Sequence, residues 1–163
     1  MDKIRGQMLL KSRTKKFTFA LGTLILIAMF ACDGVQNAFL DARETTPPTF
    51  STSGNKWLLG IQVQVFPAGM TPAQIGQTQG ETIWKISAPK KTWATDFPLI
   101  TYGNIPDGWA QTIPITGRPP ALTEGRVYEA TPFDSTGPLG SSFFSIRAGK
   151  TVNVTGELKF SNQ

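Results

Sequence analysis

The chain has 163 residues, one domain's length at about 100–200 residues each, with a formal charge of +5 and a pI near 9.6. Six of the 16 basic side chains stand before residue 32 against one acid, Asp2, so the rest carries ten of each sign and no electrostatic footprint for nucleic acid. Histidine is absent and cysteine occurs once, which excludes imidazole-based catalysis, an intrachain disulfide and a Cys/His zinc centre.

Residues 1–16 are polar and basic, residues 17–31 (FTFALGTLILIAMFA) are uncharged, and Cys32, Asp33 and Gly34 follow. As a helix the apolar run rises about 22 Å, short of the ~30 Å hydrocarbon core, so a signal peptide over 1–31 fits better than a membrane span. General signal peptidase needs small residues at −3 and −1, and Met29 with Ala31 supplies only one.

The stretch IAMFAC resembles the lipobox of bacterial lipoprotein signals: Ala31 and Cys32 match, Met29 stands where leucine is usual, and Phe30 is bulkier than the usual small residue. The resemblance implies cleavage before Cys32, diacylglycerol on its thiol and an acyl chain on its new amino group, with no other cofactor. Two or three chains hold a protein firmly, whereas one binds reversibly at about 0.8 kcal/mol per buried CH₂. By the same resemblance Asp33 is a sorting signal, keeping a lipoprotein of enteric-type bacteria in the inner membrane facing the periplasm. Outside that rule the address is the outer membrane or the cell surface. Simple secretion and an uncleaved anchor are the competing readings of the same segment.

Residues 32–56 show no sustained period and end in ETTPPTFSTSGN. Pro47 and Pro48 cannot enter a helix interior or a central strand. This composition predicts a lipidated N-terminus and a flexible tether, with at most a turn of helix around Val35–Ala42.

A domain over 57–163 follows. WLLGIQVQVF alternates, with Trp57, Leu59, Ile61, Val63 and Val65 on one side and Gln62 and Gln64 on the other. TVNVTGELKF places Val152, Val154, Leu158 and Phe160 opposite Thr151, Asn153, Thr155, Glu157 and Lys159, with a bulge at Gly156. Shorter candidates lie at 81–87, 98–102, 109–114, 126–131 and 141–147, separated by Gly- and Pro-rich breaks such as YGNIPDG and TGRPPALTEG. About seven short strands without a helical stripe predict an all-β fold, an antiparallel β-sandwich. The closing FSIRAGKTVNVTGELKF resembles the last hairpin of transthyretin-like or Cna-B-like modules, and residues 102–130 resemble stretches of small bacterial lipoproteins; neither likeness brings a function.

Seven carboxylates fall in the domain: Glu81, Asp96, Asp107, Glu124, Glu129, Asp134 and Glu157. Two of them opposed across a cleft would suit a carboxylate-only hydrolase, but most sit in turn contexts or on outward strand positions. No phosphate-binding glycine loop or nucleophile elbow occurs, and no ligand series predicts a metal. The aromatics are the stronger lead. Trp57 and the TIWKIS face are expected to fill the core, while Trp93, Trp109 and Tyr102 are the candidate ligand-binding residues, able to stack on a sugar or meet a partner. The expectation is a membrane-anchored, non-catalytic binding or scaffolding module of the cell envelope. Its partners are the membrane, through the lipid, and an envelope protein or a glycan, but not nucleic acid. A glycan-binding module is the alternative, and a carboxylate hydrolase the third reading.

Overall fold

The computed structural model describes residues 38–70, 72–75 and 77–155, all within the compact unit Asn37–Gln163. The signal peptide, Cys32, Asp33 and the stretch from Gly156 onward lie outside the described residues. No described helix is long and apolar enough to cross a membrane.

The fold is all-β, with two antiparallel sheets as the alternating patterns predict. The small sheet runs β1(Ala38–Arg43)–β2(Thr49–Gly54)–β5(Ile100–Thr101). The large one runs β10(Lys150–Asn153)–β9(Ser142–Arg147)–β7(Val127–Asp134)–β3(Trp57–Val65)–β4(Glu81–Trp93)–β6(Ala110–Ile113), with β8(Gly137–Pro138) beside β7. A short α-helical turn, α1, is Pro72–Ile75 in the β3–β4 connection.

The tether expected over 32–56 is corrected from Ala38 onward, where the chain forms the β1–β2 hairpin of the small sheet, with Phe39↔Ser53 and Ala42↔Phe50 in register. Neither does Ala38–Ala42 form a helical turn. Ala38, Leu40 and Ala42 alternate inward with exposed Phe39, Asp41 and Arg43, and Phe50 is wholly buried. The two prolines fall in the hairpin's turn, where neither interrupts a ladder. The domain therefore begins before Trp57.

The sheets enclose Leu40, Phe50, Leu58, Ile61, Val63, Trp84, Ile86, Ile100, Tyr128 and Phe144. Fully burying one large apolar side chain contributes about 1.5–3 kcal/mol. Trp84 and Ile86 fill the core as their alternation predicts, but Trp57 does not: it is 43% exposed. The reason is a register break between Leu58 and Gly60, opposite residues 88–91 of β4. It reverses the phase of β3, so that Leu58 points inward together with Ile61 and Val63 while Trp57 turns out.

A smaller cluster of Phe66, Ile75 and Val154 packs with Val152 and Phe143. Val152 and Val154 thus share an apolar side as expected, but it faces this second cluster. Thr151, on the opposite side as expected, is buried there and donates its hydroxyl hydrogen to the Thr45 carbonyl at 2.6 Å. Ala42 N–H donates to Ser142 Oγ (3.4 Å), and Asn153 donates to Asp41 (3.3 Å). Hydroxyls and an amide from β9 and β10 thereby satisfy polar groups along the hairpin, and no buried side-chain N or O lacks a partner among the described residues.

Candidate functional site

Between the β1–β2 turn and the β6–β7 connection lies a cavity of about 440 Å³, lined by Thr46, Pro47, Pro48, Tyr102, Arg118, Pro119, Pro120 and Leu122, with Gly103, Ala121 and Ile146 completing it. Tyr102 follows β5 and is tied to both proline pairs. Its N–H donates to the Pro48 carbonyl at 2.9 Å, and its hydroxyl donates to the Pro120 carbonyl at 2.8 Å. The ring packs edge-on against Trp84, centroids 5.1 Å apart, and burial together with the nearby Tyr128 pushes the phenol well above its ordinary value.

The β6–β7 connection has little regular structure, yet it is pinned along its length. Gln111 accepts a hydrogen bond from the Trp84 indole N–H at 3.1 Å and donates to the carbonyls of Pro114 (2.8 Å) and Gly117 (2.9 Å). The Tyr128 hydroxyl accepts from Thr123 N–H at 2.7 Å, and Gly125 N–H donates to Ile146 O at 3.0 Å. Arg126 donates twice to Phe66 O, at 3.3 and 3.0 Å. Prolines with fixed φ at Pro47, Pro48, Pro119 and Pro120 stiffen both walls further. The cavity is preformed.

Of the expected ligand-binding residues, Tyr102 lines this cavity, buried except for 8% of its surface. Trp93 is half-buried and stacks on Trp57, with ring centroids 4.2 Å apart and planes 26° apart. Trp109 is half-buried and meets Phe97 edge-on at 4.8 Å. The three aromatics therefore have three different ring partners. Arg118 and the two proline pairs were not candidates. The only signal for them was the recurrence of Pro-Pro in breaks that read as tether and turn.

Two of the carboxylates, Glu124 and Asp134, are committed to structure. Glu124 accepts from the backbone N–H groups of Ala148 and Gly149, holding the β9–β10 turn. Asp134 pairs with Lys56 at 2.9 Å and accepts from Thr136 N–H (2.7 Å), Thr136 Oγ1 (2.6 Å) and Gly137 N–H (3.1 Å). Burial pushes the Asp134 carboxyl up, but the hydrogen bonds from Thr136 and Lys56 outweigh it and hold the group well below the usual carboxylate range. No carboxylate lines the cavity, and no cluster of three potential metal ligands occurs among the described residues.

Comparison of the chain with protein-family models, curated proteins and solved structures found no match.

Proposed function

We propose that the chain is a lipid-anchored binding module of a bacterial cell envelope, with Cys32 as the acylated N-terminus and the proline-walled cavity as its ligand seat. The observation that carries the binding part is the cavity itself. Its volume of about 440 Å³ falls in the range of small-molecule sites, and its apolar walls are held in place before any ligand arrives. A preformed seat loses little conformational entropy on binding. The lining supplies one cation, Arg118, and one buried phenol, Tyr102, a set suited to holding a ligand rather than to paired acid–base chemistry. The anchor part rests on the charged start, the short apolar run and the Ala31–Cys32 pair.

Two measurements test the reading. Expressed in a bacterium with lipoprotein maturation, the wild-type chain should partition into detergent and carry acyl groups on an N-terminal Cys32. A Cys32→Ser chain that still matures and partitions in the same way overturns the anchor. A fragment screen read at the Leu122 and Ile146 methyl groups tests the seat, which predicts shifts confined to the cavity lining.

A further inference from the structure

The groups that line the cavity also limit what it can recognise. Four of the eleven lining residues are prolines, which have no N–H to offer. Three of their carbonyls are already engaged: Pro47 O by the Thr45 hydroxyl, Pro48 O by Tyr102 N–H and Pro120 O by the Tyr102 hydroxyl. The Thr46 hydroxyl is committed as well, donating to Gly149 O at 3.1 Å. The rest of the lining is mostly apolar ring and methyl surface, and its one charged group is a guanidinium. Among the described residues, Arg118 is exposed at the lining with no hydrogen-bond or ion-pair partner, and no carboxylate lines the cavity to compete for it.

We infer that the cavity takes a small organic carboxylate, with an apolar ring or chain seated against the prolines, Leu122 and Ile146, and its carboxylate held by Arg118. This rests on the cavity being the ligand seat and adds to it the chemical class of the ligand. The planar guanidinium presents paired N–H donors that match the two oxygens of a carboxylate, and such charge-assisted bonds are about twice as strong as neutral ones. The apolar body supplies the rest of the affinity through the area it removes from water.

The probes are phenylbutyrate and its neutral amide, phenylbutyramide, titrated into the methyl-labelled full-length chain in lipid nanodiscs. Both should shift the Leu122 and Ile146 methyl signals, with the acid at least about fivefold tighter than the amide and its advantage shrinking as salt is added. Arg118→Gln, on an exposed loop, should abolish the preference by bringing the acid down to the affinity of the amide. Equal binding of the two probes, a preference that survives Arg118→Gln, or neutral fragments that bind where the acid does not would each overturn the carboxylate assignment while leaving the seat intact. If acid, amide and a set of neutral fragments all leave these methyl groups unmoved, the seat itself is overturned.

Discussion

Tyr102 donates its hydroxyl hydrogen to the Pro120 carbonyl across 2.8 Å, and through this bond a residue that follows the small sheet holds one wall of the cavity. Tyr102→Phe keeps the ring against Trp84 and removes only that bond, so it should cost about 1 kcal/mol. The phenol's folded-state pKa lies above its ordinary value, so the wild-type advantage is complete below about pH 10 and is lost as pH rises further. Urea denaturation of both proteins across the alkaline range should show the two midpoints converging. A gap that stays constant to high pH would contradict the buried, bonded hydroxyl.

Trp57 and Trp93 face each other across the β3–β4 ladder as a stacked pair. A double-mutant cycle with alanine at both positions should yield a coupling of about 0.5–1.5 kcal/mol, and either single variant should lose the exciton-coupled far-ultraviolet dichroism of adjacent indoles. Additive single losses with unchanged dichroism would mean that the rings do not stack in solution.

Gly60 sits at the register break of β3, directly beneath the Phe133 ring. A Cβ there would run into the Ile86 carbonyl and come within 2.5 Å of the Phe133 ring. Lys85 caps the same ring, its Nζ 4.5 Å from the centroid. Gly60→Ala should therefore destabilise the fold by more than about 3 kcal/mol. Trimming the ring with Phe133→Ala should fail to rescue it, because the Ile86 oxygen is backbone and cannot move aside. Rescue in the double variant, measured by thermal melting, would show that the ring alone set the limit.

Asp134 combines a turn cap with the ion pair to Lys56, and its carboxyl is held low. A group with a depressed folded-state pKa stabilises above its unfolded value, about 3.9, and loses that contribution as pH falls further. Asp134→Asn retains an acceptor for the turn and should cost about 1 kcal/mol at neutral pH; Asp134→Ala should cost about 2–3 kcal/mol. Below pH 4 the gap between wild type and Asp134→Asn should close progressively in acid denaturation. A gap that widens on acidification would reverse the assignment.

Ala148 adopts a left-handed φ of 51° next to Gly149 at 72°, forming a two-residue turn between Arg147 and Lys150. Asparagine tolerates that region better than alanine, and Asn-Gly is the favoured pair for such a hairpin turn. Ala148→Asn should raise stability by about 0.5–1 kcal/mol, seen as a higher denaturant midpoint at unchanged slope. A lower midpoint would indicate a different turn.

The strands of the large sheet were legible because their signal is local. Trp84 and Ile86 alternate into the core as predicted, and the bounds expected for 126–131 and 141–147 fall close to β7 and β9. Trp57 was misplaced because a register break has no signature in a two-residue period. The burial of Thr151 has a different cause: a hydroxyl is polar in sequence, but it can be buried once a carbonyl such as that of Thr45 stands within reach. The hairpin at 38–54 escaped notice because AFLDAR is too short to establish a period by itself, and its neighbouring prolines suggested a spacer.

By itself, the sequence determined the all-β class, the neutrality of everything beyond the basic start, and the absence of imidazole and thiol-pair chemistry, since these depend only on composition and on neighbours a few residues apart. The tertiary structure alone decided that Pro47–Pro48 and Pro119–Pro120 share one cavity, with Tyr102 bonded to both pairs and Arg118 among the lining residues. Each Pro-Pro pair interrupts regular structure wherever it occurs. That two interruptions so far apart in the chain form one cavity follows from the packing of one sheet on the other, and such long-range contacts leave no local pattern to read.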